Sequence, residues 1–341
     1  MEFKKYSSIE NAYRQKAVDN LMTYNPKGLY VVQEKIHGAN FAIYVDESGV
    51  KYAKRSGFID NLTSFYRADI IAEKYGEKVQ ELFDIFNKDY KTMSEKQGLA
   101  YFSPKLSIHG EIYGGSYPHK DVDVVKDIKS VQKGVFYSPE VEFIAFDMKV
   151  DGDYVDLNIM NDVLDMLKIP RLHVLKEGTL KECLEYPNEF NSNLHGLPEL
   201  EDNTCEGVVI KSIAPDRMPN GDRYILKNKN AKWSEKGKKG PVTVKELPAH
   251  VIPFVETAVS YINENRLRNV LSKIGPITNA KAAFSTVISP LNQDAIEDFM
   301  KENPEFSELE KSDRGIVTKQ INKAAANLIR ENLYDILDGE F

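Results

Sequence analysis

Apolar residues follow two rhythms along this chain, and the change comes near Pro248. Before it, short apolar runs between polar turns predict strands. Leu29-Tyr30-Val31-Val32 leads into Glu34-Lys35. Phe41 to Val45 follows, then the turn Asp46-Glu47-Ser48-Gly49, then Val50 to Ala53. Further strands are predicted over 106–113 and 142–150, with Asp151-Gly152 turning into Tyr154-Val155. Residues 207–211 and 223–227 read as strands, with Asn220-Gly221 as turn chemistry between them. Two helices interrupt this pattern. One covers 61–86, where Phe65, Ile70, Ile71, Val79, Leu82, Phe83 and Phe86 fall at helical spacings; a short one around 163–167 stops before Pro170.

After Pro248 the spacing is helical throughout. Val255, Val259 and Ile262 come first, then Leu267, Val270, Leu271 and Ile274, and Gly275-Pro276 stops that run. Pro290 is placed to open another helix. Ile321, Ala325, Leu328, Ile329, Leu333, Ile336 and Leu337 predict one last amphipathic helix. The expectation is an α+β, largely antiparallel domain over 1–245 and an all-α domain over 246–341.

Composition narrows the class without naming it. With 42% hydrophobic and 28% charged residues, the chain is neither disordered nor fibrous. No run approaches the ~18 apolar residues of a membrane span. The first residues carry charges and no apolar core, so no signal or transit peptide is expected. Cys183 and Cys205 are too few for a disulfide framework or a multi-cysteine zinc site, which fits a reduced, cytoplasmic setting. The net charge is −7, but 223–245 holds eight bases and one acid, so that strip is +7 and the rest is −14. Most lysine runs are solvated loops. This one opens with Lys227-Asn228-Lys229, and on a strand both ammonium groups would share one face.

Three lysines stand three before a glycine, at Lys35, Lys54 and Lys149. Lys35 differs in its setting, at the end of an apolar strand and just before Gly38 and Asn40. A free lysine is a neutral amine only roughly one time in a thousand at neutral pH. Burial and nearby cations are the route to an activated one.

Glu34-Lys35-Ile36-His37-Gly38-Ala39-Asn40-Phe41 resembles the nucleotidyl-attachment motif of the covalent nucleotidyltransferases. Its wording resembles one branch, the double-strand RNA ligases of the phage RNA ligase 2 type, which includes the kinetoplastid RNA-editing ligases. Later motifs follow in the family's order: Lys54-Arg55-Ser56-Gly57, then His109 to Gly115, Phe143 to Asp147, Glu206 to Lys211, and Lys227 to Glu235. The opening Phe3 to Ser8 and the late Lys273-Ile274-Gly275 are similar as well. There are two departures. Gln33 stands where some members carry a basic residue, and Trp233 where phenylalanine is commoner.

The resemblance implies a nucleotidyltransferase core of the ATP-grasp-like ligase type, antiparallel sheets with helices around an ATP cleft, and a helical domain that engages RNA. It assigns Lys35 as the nucleophile that takes AMP from ATP. Lys227 and Lys229 would hold the α-phosphate. Glu206 would bear on Mg²⁺, for which Mn²⁺ can substitute, joined by Glu111 and Asp147, in part through water. Phe146 and Val209 would sandwich adenine, with Glu34 facing its amino group; Ile36 and Asn40 complete the nucleotide pocket. Glu111 and Arg55 would reach the ribose, and His37 would act at the RNA end. The other histidines show no ligand spacing.

The implied reaction is ATP-dependent joining of RNA 3′-hydroxyl and 5′-phosphate ends in nicked or bridged duplex, with no membrane and no obligate protein partner. Where phage-encoded, such an enzyme acts in the infected cell. A DNA ligase or capping guanylyltransferase is the main alternative. Those usually carry a β-barrel OB domain after the last lysine motif, where this chain predicts helices. An inactive RNA-binding homologue would need Lys35, Glu206 or Lys227 broken, and all three are present.

Overall fold

A computed structural model describes residues 1–219, 221, 223–234 and 247–339. These form two compact units, Met1–Asn230 and Ala231–Phe341. The expected boundary at 245/246 lies outside the described residues, as do Asn220 of the expected turn and the basic run from Lys236 to Lys245.

The first unit holds two sheets among its described residues. Its strands are β1 (Glu10–Asn11), β2 (Leu29–Glu34), β3 (Ala39–Asp46), β4 (Gly49–Lys54), β5 (Gly57–Phe58), β6 (Leu106–Ser116), β7 (Ser138–Val150), β8 (Asp153–Tyr154), β9 (Lys176–Thr179), β10 (Gly207–Ser212) and β11 (Ile225–Lys229). One sheet has the order β1-β11-β10-β2-β9, antiparallel except for the parallel β1–β11 edge. The other runs β5-β4-β3-β6-β7-β8, antiparallel throughout. The helices are α1 (Gln15–Tyr24), α2 (Ala68–Gln97), α3 (Leu157–Leu167) and α4 (Leu180–Leu184).

Strand β3 is buried on both faces, which explains its nearly unbroken apolar run. Phe41, Ile43 and Val45 pack in the core with Ile71 and Val79 of α2. Ala42 and Tyr44 point the other way and are covered by Phe3 and Phe58. The N-terminal segment therefore lies across this second face, pinned where the Tyr44 hydroxyl donates to the Lys4 carbonyl.

The helix expected over 61–86 begins later and runs further. Tyr66 and Arg67 adopt left-handed conformations (φ 47° and 54°), so no helical turn forms before Ala68. Beyond Phe86 the helix continues through mostly polar residues, with only Tyr90 and Met93 to carry an apolar signal, and Gly98 at φ 62° ends it.

The second unit is helical in its described residues: α5 (Ile252–Ser260), α6 (Glu264–Ile274), α7 (Ala280–Glu302), α8 (Lys311–Glu331) and α9 (Leu333–Asp338). Two expectations need correction. Pro290 does not open a helix; it lies inside α7, whose start is set by the Asn279 side chain accepting from the Ala282 N–H. The last helix is two, broken at Asn332.

Arg266, Arg268 and Lys273 share α6, and each is paired with a carboxylate. Arg266 is 1% exposed and paired with Asp294 and Asp298, and its Nε donates to the Tyr261 carbonyl. Lys273 pairs with Asp294, and Arg268 with Glu264.

Candidate active site

Glycines set the backbone around Lys35. A side chain at Gly38 would begin 2.2 Å from the Ile112 carbonyl, and one at Gly207 would begin 2.2 Å from the Asn228 carbonyl. Gly207 also sits at φ 142°, where a side chain is strained. Strand β6 can therefore press against the chain after Lys35, and β11 against the chain after Glu206. The Lys35 N–H donates to the Gly207 carbonyl at 2.9 Å, which docks the lysine beside Glu206.

The side chains converge accordingly. Lys35 Nζ donates to Glu206 Oε2 at 2.7 Å. Lys229 Nζ lies 2.7 Å from Glu206 Oε1. His37 Nδ1 lies 3.4 Å from Glu206 Oε2, and the His37 backbone N–H donates to the Tyr137 hydroxyl. Glu206 is 2% exposed. Burial alone would push its carboxyl up, but Lys229 and Lys35 hold it well below the usual range. Burial lowers the His37 imidazole below its ordinary value, with Glu206 opposing. A buried carboxylate thus holds two ammonium groups at fixed positions.

The registers place the other expected residues. Lys227 pairs with Val209 and Lys229 with Gly207, so both lysines share the face that the alternation predicted. Asn40 pairs with Glu111 across β3–β6, and the Glu111 side chain lies against Gly38. Arg55 stands in the turn between β4 and β5, and its charge bears on His109. Ile36 is buried.

Phe146 owes its position to a bulge. His109 pairs with Asp147 but Gly110 with Ala145, so Phe146 is the extra residue. Its ring turns out of the ladder to meet Tyr6 edge-on at 5.2 Å. Lys211, two residues on from Val209 and on the same face, donates to the Phe146 carbonyl. The Val209 face of one sheet is therefore opposed to Phe146 of the other, and both residues stay half-buried among buried neighbours.

Glu34 is buried, and its Oε1 meets no hydrogen-bond donor among the described residues. Burial pushes its carboxyl up to about 7, against the Ser192 hydroxyl.

Asp147, expected near the metal, is held by two cations and a tyrosine. Its carboxylate faces Arg223 at 2.5 Å and Lys211 at 3.2 Å and accepts from the Tyr6 hydroxyl, all in the interior. Among the described residues no three His, Cys, Asp or Glu side chains gather as a metal site. Both Glu206 oxygens are engaged by ammonium groups, so a cation bound at Glu206 would be reached through water.

Three residues were missed as site residues. Arg223 was counted with the basic strip yet is 3% exposed and anchors Asp147. Tyr6 and Lys211 lie inside the quoted motifs, but pattern alone gives them no role. Gln33, where a basic residue is found in some relatives, is buried and donates to the Leu172 carbonyl.

A lysine docked on a buried glutamate, with a second lysine on the same carboxylate and a half-buried aromatic across from Val209, is the layout of a nucleotidyltransferase. Comparison with known proteins makes this specific. Residues 28–229 match the family model described as RNA ligase, and residues 246–327 match that described as T4 RNA ligase 2 C-terminal. The chain is 30% identical to mitochondrial RNA-editing ligase 1 of Trypanosoma brucei brucei, over 80% of this chain and 70% of that one. It is 26% identical to RNA-editing ligase 2 of the same organism, over 88% and 83%. A solved mutant of Naegleria gruberi RNA ligase with ATP and Mn gives a TM-score of 0.44 at 13% identity, over 68% of this chain and only 56% of that one. The chain belongs to the RNA ligase family of the T4 RNA ligase 2 type, whose members are ATP-dependent RNA ligases.

Proposed function

We propose that the chain seals 3′-hydroxyl and 5′-phosphate ends in nicked or bridged duplex RNA through a Lys35–AMP adduct and an RNA-adenylate. The observation that carries this reading is Lys35 held 2.7 Å from the buried Glu206, with Lys229 on the other oxygen of the same carboxylate. In the first step the neutral Lys35 amine attacks the α-phosphorus of ATP. The N–P bond forms, the bond to the β-phosphate oxygen breaks, pyrophosphate leaves and one proton is released. An RNA 5′-phosphate oxygen then attacks the same phosphorus and frees Lys35. Finally the RNA 3′-hydroxyl attacks the 5′-phosphorus and AMP leaves.

Phosphoryl transfer depends chiefly on positioning and charge stabilisation. Glu206 fixes the direction of Lys35, while Lys227 and Lys229 offer positive charge from one strand face to the α-phosphate. Phe146 and Val209 are opposed so that a base can lie between them, with Glu34 at its edge. A divalent cation, Mg²⁺ or Mn²⁺, would be held near Glu206 and Glu111 through water and would neutralise phosphate charge. The test is incubation with labelled ATP or GTP, followed by sealing of nicked duplexes with RNA or DNA on each side. Adduct formation from GTP in preference to ATP would overturn the reading in favour of a capping enzyme.

Glu34 adds a pH dependence. In the free protein its carboxyl is half-protonated at about 7, because burial disfavours the charge. Accepting a hydrogen bond from an adenine amino group favours the carboxylate. ATP binding should therefore tighten as pH rises towards 7, by up to about tenfold per pH unit below that point. The measurement is ATP affinity of Lys35→Ala, which cannot consume the nucleotide, between pH 5.5 and 8. Adding Glu34→Gln should flatten the profile, and an unchanged slope would remove Glu34 from the base contact.

The helical region belongs to a different step. Every AMP contact proposed here lies between Glu34 and Lys229, within the first compact unit. A fragment ending near Lys245 should still adenylate Lys35 and close a nick that already carries AMP. It should lose most sealing of an ordinary 5′-phosphate nick. Equal sealing of both substrates would show the helical region to be dispensable.

A further inference from the structure

The third of the lysine–glycine tetrads, Lys149-Val150-Asp151-Gly152, takes no part in the reaction above. Lys149 lies next to the end of β7 and pairs directly with Tyr154 of β8, so the two side chains share a face. Its ammonium lies 4.3 Å from the centre of the Tyr154 ring and 5.7 Å from that of Tyr6. Two more cations crowd the same tyrosine, with the Arg223 guanidinium at 4.2 Å and that of Arg217 at 5.1 Å. The Lys4 ammonium lies 3.4 Å from where a side chain on Gly152 would begin.

Negative charge is short here. Asp147 is already shared by Arg223, Lys211 and Tyr6. Among the described residues Asp153 approaches only Arg217, at 3.8 Å, and it is mostly in solvent. Lys149 is 8% exposed, yet among the described residues it has no carboxylate partner and no hydrogen bond. Aromatic rings attract a cation but do not neutralise it, so the Lys149 ammonium keeps its full charge for an anion to meet. A purely structural lysine beside Tyr154 would not need Arg217 and Lys4 gathered at the same place.

We infer that Lys149, Arg217 and Lys4, backed by Arg223 around Tyr154, form a binding site for a phosphate-class oxyanion. The site shares no residue with the Lys35–Glu206 cluster. A guanidinium fork and ammonium groups suit an oxyanion that offers several acceptor oxygens at once. The ligand chemistry is a phosphate dianion, either free or as a monoester at a nucleic-acid end.

The test uses the whole chain and the rate at which N-hydroxysuccinimidyl acetate labels Lys149 at pH 8, followed by peptide mass spectrometry. Inorganic phosphate and a 5′-phosphorylated dinucleotide are compared with sodium chloride at matched ionic strength. A dianion seated on Lys149 covers its amine, so labelling should slow severalfold. Lys88, on the exposed part of α2, should not change. Arg217→Gln should remove the protection while Lys35 adenylation proceeds as in the parent. Protection by phosphate alone indicates a free anion, and protection by the dinucleotide indicates a nucleic-acid end; either supports the site. Equal rates with and without both anions would overturn it. So would protection that survives Arg217→Gln, or a Lys149 that no reagent reaches without phosphate.

Discussion

Lys35→Ala is expected to lose covalent AMP by several orders of magnitude, with no second lysine taking its place. Ease of deprotonation alone would favour Lys149, whose amine is brought down to about 8. Geometry favours Lys35. Lys54 lies over the Phe65 ring at 5.7 Å, and Lys149 over Tyr154. Of the three tetrad lysines, Lys35 is the one tied to Glu206 and the one that shares its carboxylate with Lys229. Reaction at phosphorus needs an amine aligned with the leaving pyrophosphate, and no gain in the neutral amine replaces that alignment. Lys35→Arg should be equally inactive, because a guanidinium keeps its proton. The measurement is peptide mapping of the adduct formed with labelled ATP. AMP found on Lys149 or Lys54 in the parent protein would overturn the assignment.

How much of this was legible in the sequence depends on the distance over which a signal acts. Lys35, His37 and Gly38 sit in one short motif, and Lys227-Asn228-Lys229 announces its own face by alternation, so these positions could be read locally. The convergence of Lys35, His37 and Lys229 on Glu206 could not, because it requires β2, β10 and β11 to lie side by side in a set register. The two-part organisation was visible because apolar spacing changes near Pro248. Helix ends were not. Tyr66 and Arg67 delay α2 through left-handed backbone, and Asn279 rather than Pro290 starts α7. Arg223 shows the limit of charge counting. It belongs by sequence to a solvated-looking basic strip, and only the fold reveals that it serves a buried carboxylate. Asp147 shows the complementary case: the bulge at Phe146 that frees the aromatic ring gives the next residue to the interior.

That interior cluster yields the largest stability prediction. Asp147 is 2% exposed, and it is the carboxylate that faces both Lys211 and Arg223. Burial would raise its pKa, yet Arg223 and Lys211 hold it well below the usual carboxylate range. Removing one partner of a buried ion pair leaves an uncompensated charge and costs about 3–5 kcal/mol. Asp147→Ala strands two cations at once, so it should lie at or above the upper end of that range. Arg223→Leu should be milder, because Asp147 keeps Lys211 and the Tyr6 hydroxyl. A depressed carboxyl contributes stability that is present above its unfolded pKa, near 3.9, and lost as pH falls towards its folded value. The parent should therefore lose stability between pH 4 and pH 2, and Asp147→Ala should lose less over that interval. Urea unfolding of the first unit at pH 7 and at pH 3, followed by hydrogen exchange of β7 and β10, separates these outcomes. An Arg223→Leu protein less stable than Asp147→Ala would mean that the arginine, rather than the carboxylate, organises the cluster.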